Sequence, residues 1–291
     1  MLRSMVIASL LLSAVAQAAP EEGVSHGPTT YQSEFFFQSP AGHSDITPKI
    51  GYLNSAVELE GIPTELKASG YALGIAYEYG INEMWAVELG INYMTTNTEF
   101  GPTESKMSGL MNPELLFKGT SAMGWGNLHF GVLAEFAFEN RKVATTTDDG
   151  NFSTGGHAIK PYVGAAMGIG TGGILGARLS YEYKFERTVE DAAGAETKEK
   201  DGHELGISVF YEHMMADVLL GAAFNQFSED AIKDDDGNEL HDSGSLSQIS
   251  LYSRIPMETW AMIPRLDYTF SRSHYDKYNE MLFSVAARIP L

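Results

Sequence analysis

Hydrophobic and polar residues alternate along this chain with period two, over stretches longer than a soluble sandwich needs. Between positions 85 and 93, Trp85, Val87, Leu89, Ile91 and Tyr93 fall on one side and Ala86, Glu88, Gly90 and Asn92 on the other. Residues 71–79 repeat the pattern, with Tyr71, Leu73, Ile75, Tyr77 and Tyr79 opposite Ala72, Gly74, Ala76 and Glu78. Successive side chains of a strand point to opposite faces, so each segment predicts a strand with one apolar and one polar face. Strands of globular proteins are commonly about five or six residues long, whereas about nine to eleven tilted residues cross the hydrocarbon layer of a bilayer. The pattern therefore predicts an all-β fold, a transmembrane antiparallel up-and-down β-barrel.

The same alternation places strands near 48–60, 67–79, 84–97, 105–118, 125–142, 158–170, 174–189, 202–213, 217–229, 245–256, 259–273 and 278–291, a count of about twelve. Their connections differ in length. Those at 80–83, 119–124, 171–173, 213–216 and 257–258 are short, whereas 143–157, 190–201 and 230–244 are long, acidic and carry turn pairs such as Asp149-Gly150, Asp201-Gly202 and Asp236-Gly237. Short periplasmic turns and long extracellular loops are the asymmetry of bacterial outer-membrane barrels, and an even strand count puts both ends of the wall on the periplasmic side. Residues 31–39 (YQSEFFFQS) also alternate, but a thirteenth strand breaks the parity. Residues 19–45 are therefore expected to form a periplasmic or lumen-inserted N-terminal segment ahead of a barrel over 46–291. The alternative is a further wall strand in a 14-stranded count.

Composition sharpens this picture. Arg3, the apolar run 5–15 and the small residues Ala16, Gln17 and Ala18 read as an export signal over 1–18. Past it no apolar run is long enough for a membrane helix, so a spanning chain must close as a barrel that leaves no backbone edge in lipid. There is no cysteine, which excludes thiolate nucleophiles and thiolate metal sites. Removing the signal takes one of 19 basic residues and none of 38 acidic ones, deepening a net charge of −19. A surface so acidic argues against nucleic acid as a partner.

Placing the apolar set against lipid assigns the other set to the lumen, and a slip of one residue would invert every assignment. On 174–189, Leu175, Ala177, Leu179, Tyr181, Tyr183 and Phe185 face out, leaving Arg178, Ser180, Glu182, Lys184 and Glu186 inside. On 125–142, Leu128, Phe130, Val132, Ala134, Phe136 and Phe138 face out, leaving His129, Glu135, Glu139 and Arg141 inside. The same logic turns Glu58, Glu78, Glu88, Glu114, Lys118, Lys160, Glu204, Glu212, Arg254, Arg265, Asp267 and Arg288 inward. The pore-lining candidates are Glu88, Glu114, Glu135, Lys160, Arg178, Glu182, Lys184, Arg254, Arg265 and Asp267. Acids and bases nearly balance, which suits either a paired ionic network filling a narrow barrel or a water-filled channel with a transverse field. In the network reading Arg178, Glu182, Glu135, Arg265 and Asp267 neutralise one another. Small inward residues, among them Gly74, Gly164, Gly206 and Gly221, suit free space or close-packed long neighbours.

No catalytic or metal constellation stands out. His241-Asp242-Ser243, the pair Asp148 and Asp149, and His274 with Asp276 lie at acidic turns. The loop at 234–239 fails the calcium-loop pattern, since Gly237 in sixth place would make Ile232 the first ligand. His203 and His213 sit ten residues apart on one strand, roughly 33 Å. Neither an enzyme, a cofactor nor a structural metal is expected. Trp85, Trp125 and Trp260 each follow a short turn and suggest a periplasmic aromatic belt, with Tyr181, Tyr183, Tyr211 and Tyr268 as the opposite girdle.

The export signal, the tyrosine-rich strands and the ending 281–291 (MLFSVAARIPL) together resemble a Gram-negative outer-membrane β-barrel. The resemblance implies residence in the cell outer membrane among lipid and lipopolysaccharide, with oligomerisation left open. It also implies recognition of strand 281–291 by the barrel-assembly machinery through Phe283, Val285, Ala287, Ile289 and Leu291. The terminal Leu291 departs from the usual aromatic residue. The run 79–90 (YGINEMWAVELG) is similar to the strand-turn-strand of transporter-like barrels linked to aromatic-compound degradation operons. The expected function is a passive channel or uptake porin for small solutes. Its competitor is a closed structural or surface-interaction barrel with an ionic core and acidic loops facing lipopolysaccharide or a partner.

Overall fold

In a computed structural model the strands predicted from alternation close into one barrel. The structure describes residues 32–61, 64–144, 149–191, 194–234, 237, 239–241 and 243–291. The export signal, residues 19–31 of the expected N-terminal segment, Asp148, Asp242 and residues 235, 236 and 238 of the 234–239 loop lie outside the described residues. In chain order the strands are β1 (Ser44–Leu59), β2 (Glu65–Gly80), β3 (Trp85–Phe100), β4 (Thr103–Leu110), β5 (Glu114–Met123) and β6 (Gly126–Glu135). They continue with β7 (Arg141–Lys142), β8 (Ala158–Ile169), β9 (Gly173–Lys184), β10 (Arg187–Glu190), β11 (Glu196–Glu199) and β12 (Gly202–Met215). The last are β13 (Val218–Glu229), β14 (Ile232–Lys233), β15 (Glu239–His241), β16 (Gly244–Pro256), β17 (Ala261–Arg272) and β18 (Tyr275–Pro290).

The wall has twelve strands. β1 pairs with both β2 and β18, which closes the ladder and removes free edges. β4 and β5 are two halves of one wall strand, because both pair with β3. Tyr93 faces Leu110 and Gly90 faces Glu114, so three residues at 111–113 oppose two on β3. Pro113 has no N–H to give the ladder, and a bulge is where a wall strand tolerates it.

Side-chain burial follows the alternation. Leu73 and Leu89 are more than half exposed to the exterior, whereas Glu78 on the opposite face of β2 is buried. An exterior of exposed Ile, Leu, Tyr and Phe around a polar interior is the arrangement lipid imposes on a barrel. Leu73, at mid-strand and 52% exposed, gives a direct test. Leu73→Arg is expected to destabilise the barrel in vesicles by about 2 to 4 kcal/mol. Asn92→Arg, on the lumen side of β3, should cost far less. Equal losses in urea unfolding would show that the faces are inverted.

Four sequence expectations change. The strand expected over 125–142 leaves the wall after Glu135, and the one over 174–189 leaves it after Lys184. Their extensions form a small sheet beyond the barrel, with β10 between β11 and β7. Glu139, Arg141 and Glu186 thus leave the lumen, and Glu186 instead pairs with Lys198 at 3.0 Å. Alternation continues past the membrane because extramembrane strands share the same period. Glu58 faces outward, paired with Lys277 directly across the ladder at 2.8 Å. On β1 Val57 is the buried neighbour, and polarity switches sides between Leu53 and Asn54. Tyr211 lies near the short-turn end of β12, opposite Leu175, and so belongs beside the Trp belt. No wall strand forms from residues 32–39, so the count stays at twelve.

Candidate functional site

The interior is built in two levels, the lower one at the short-turn end. There residues 32–43 run inside the mouth and are tied to the wall at several points. Gly42 donates its N–H to Gly80 O at 2.7 Å, and Gly80 donates to His43 O at 2.9 Å. Ser39 N–H reaches the Glu78 carboxylate at 2.7 Å, and the Ser39 hydroxyl bonds Asp45. A tight turn, with Phe37 N–H donating to Glu34 O, breaks the alternation of this segment. Consecutive phenylalanines then pack against different walls. Phe35 stacks on Phe210 at 4.3 Å, and Phe36 stacks on His129 at 4.1 Å and meets Phe210 edge-on. With Ala166, Ile174, Leu219, Ala223 and Tyr252 they form an apolar cluster inside the barrel.

Missing β-carbons make room for these rings. A Cβ on Gly164 would stand 2.4 Å from Phe36, one on Gly176 would stand 2.3 Å from Phe210, and one on Gly221 would stand 2.3 Å from Tyr252. Inward glycines therefore seat large neighbours, which is the close-packed one of the two sequence readings. Charge fixes the segment as well. Arg288 donates to both oxygens of Glu34 at 2.8 and 2.7 Å, and Arg254 stands 3.8 Å away. The Arg288 guanidinium also lies 3.4 Å from the centre of the Phe37 ring. Bidentate guanidinium-carboxylate pairs are among the stronger protein hydrogen bonds.

Lys118 sits beside this level, between Glu78 at 2.9 Å and Glu88 at 3.0 Å. The upper level is a row of charge across neighbouring strands. Glu204 faces Glu182 on one side and Glu229 on the other. Like charges directly opposite repel, and two lysines inserted among them remove the conflict. Lys160 reaches Glu182 at 2.7 Å and Glu204 at 3.0 Å, and Lys184 reaches Glu229 at 2.8 Å. Glu114 and Glu135 face each other across β5 and β6. Neither makes an ion pair among the described residues.

All ten pore-lining candidates lie on inward faces, but their pairing differs from expectation. Arg265 does pair with Asp267, at 2.8 Å. Glu182 turns to Lys160, Arg254 turns to Glu34, and Arg178 lies over the Phe35 ring at 4.9 Å with no carboxylate partner among the described residues. Glu34, Phe35 and Phe36 were not among the candidates, nor was Glu229. The three phenylalanines in succession were the available signal for the segment, and the turn pattern after Glu229 hid its place on the wall. Among the cavities of the interior are two beside residues 32–41. One of about 400 Å³ opens at the short-turn end between residues 32–41 and the wall, touching Asn82, Thr120 and His129. A smaller one of about 170 Å³ lies between Phe35 and the walls at Arg178 and Arg265.

This closed twelve-strand wall, lipid-facing outside and ionic within, decides the class. The fold is that of outer-membrane β-barrels. Among solved structures, an outer-membrane channel of Pseudomonas putida F1 superposes with a TM-score of 0.71 at 9% identity, covering 90% of this chain and 100% of that one. The translocator domain of the autotransporter NalP from Neisseria meningitidis gives 0.53 at 12% identity, covering 88% and 91%. The transport unit of the autotransporter AIDA-I from Escherichia coli gives 0.52 at 9% identity, covering 89% and 93%. No protein-family model matches the chain, and no curated protein matches it in sequence.

Proposed function

We propose that this protein is a passive channel for small solutes across the outer membrane, narrowed at its periplasmic end by residues 32–43. The observation that carries this reading is accessible space within the wall. Arg265 points inward from mid-strand, is paired with Asp267, and still keeps 40% of its side-chain surface exposed. A barrel filled by its own ionic network would bury that side chain. Selectivity in such a channel comes from bore width and from the charges that line it. The lining residues are Glu88, Glu114, Glu135, Lys160, Arg178, Glu182, Lys184, Arg254, Arg265 and Asp267. No step of chemistry is required of them.

The closed-barrel reading has one observation in its favour, the packing of Phe35 and Phe36 across the short-turn end. Planar-bilayer recording separates the two. Discrete ion-permeable steps from the purified, heat-modifiable protein are expected. Electrically silent protein that is correctly folded would sink the channel reading and leave a structural barrel whose loops meet lipopolysaccharide. Delivery to the membrane rests in this proposal on β18, whose Phe283, Val285, Ala287 and Ile289, followed by Leu291, supply the outward apolar series for the assembly machinery.

A further inference from the structure

Arg178, an interior cation without a counter-charge among the described residues, stands beside the smaller cavity, and the pair defines a ligand. Arg178 makes no salt bridge or hydrogen bond among the described residues, and its Nε is shielded from solvent without a partner. The neighbouring charges are already satisfied. Arg265 holds both oxygens of Asp267 and the Ser250 hydroxyl, while Glu34 is held by Arg288. Glu212 is also without a cation, but it lies four residues along β12 from Ser208, the residue opposite Arg178. That is roughly 13 Å along the strand, too far to pair. Glu212 is engaged instead by Phe35 N–H and the Tyr252 hydroxyl, both at 2.9 Å. Leaving a guanidinium whose Nε is shielded from water without a partner costs free energy, so an unpaired cation of this kind points to an anion supplied from outside.

The walls specify the rest of that ligand. Phe35, Phe227 and Tyr252 give the cavity aromatic sides, and Asn225 and Gln248 form a polar edge whose amides are tied to each other at 3.3 Å. At about 170 Å³ it slightly exceeds the roughly 150 Å³ of an engineered cavity that takes up benzene. A bare inorganic ion would leave the aromatic walls unfilled. A dianion would bring a second charge against Asp267 and Glu34, which already have their partners. We propose that this cavity binds a small aromatic monocarboxylate, its carboxylate on the Arg178 guanidinium and its ring against the aromatic walls. The proposal rests on the channel reading for its meaning as a solute site, but not for its test.

Benzoate is the probe, titrated into the full-length protein in detergent by calorimetry, with benzyl alcohol, benzylamine and acetate alongside. Benzoate is expected to bind and the other three to bind at least tenfold more weakly. Arg178→Gln should weaken benzoate by roughly tenfold to a hundredfold, the range of a charged hydrogen bond. Because Arg178 has no carboxylate to orphan among the described residues, the variant's heat-modifiable mobility should stay unchanged. Phe227→Leu, which keeps volume and removes the ring, should weaken benzoate without creating affinity for acetate. Acetate binding as tightly as benzoate would overturn the aromatic class, and Arg178→Gln binding benzoate like the parent would overturn the site. Protein silent in bilayers that still binds benzoate through Arg178 would sink the channel and leave this site standing. Conducting protein without Arg178-dependent binding would do the reverse.

Discussion

Lys118→Met is expected to destabilise the barrel by about 3 to 5 kcal/mol, the cost of leaving buried charge without its partner. Lys118 lies within bonding distance of two carboxylates, as Lys160 does, but its side chain is the more buried of the two, at 10% against 24% exposed. Glu78 and Glu88 are direct cross-strand partners, so its removal sets two carboxylates side by side with nothing between them. Loss of the amine also disturbs the Ser39 N–H bond to Glu78 and with it the seat of the N-terminal segment. Lys184→Met is the comparison. That lysine and its partner Glu229 are more open to water, at 29% and 41% exposure, and an exposed pair contributes about 1 kcal/mol or less. Urea unfolding in vesicles checks both. Adding Glu78→Gln and Glu88→Gln to Lys118→Met should recover most of the loss, because the charge itself is then gone. A loss for Lys118→Met as small as that for Lys184→Met would mean that water already solvates both carboxylates.

The difference between these two lysines was not legible in the sequence, although their side of the wall was. Lys118 and Lys184 both fall on the inward set of a strand by alternation alone, and the fold places both there. Alternation carries one bit per residue, which face, and the twelve-strand wall needs little more. Pairing needs the stagger between strands. Arg178 and Glu182 fall on the inward set of one strand and so look like members of one neutral network, but four residues apart they stand roughly 13 Å from each other. The ladder instead brings Lys160 of β8 level with Glu182 and Glu204 on successive strands, and Arg178 is left over the Phe35 ring. The same limit explains Glu186 and Arg141. Nothing in the period marks where a strand leaves the membrane, so an extramembrane sheet reads as more wall. For residues 31–39 the missing information is room. Their alternation fits a wall strand as well as a filler, and only the glycines at 164 and 176, brought opposite by folding, show where phenylalanine rings can lie.

Release of that segment should change conduction more than any substitution in the charged row. Deleting residues 32–40 is expected to raise single-channel conductance severalfold while leaving a folded barrel. The wall closes without the segment, since β1 begins at Ser44 and pairs along its length with β2 and β18. What the deletion removes is the packing of Phe35 and Phe36, each worth about 1.5 to 3 kcal/mol of apolar burial, together with the Glu34 clamp. Glu34→Gln tests the clamp alone. It keeps the shape of the side chain but takes a carboxylate from between Arg288 and Arg254, leaving two guanidinium groups facing each other. The expected record is a parent-sized closed level interrupted by excursions to the conductance of the deletion. If the deletion conducts no better than the parent, the constriction lies instead in the upper row of Lys160, Glu182, Glu204 and Glu229, and Lys160→Ala becomes the variant that should widen the path.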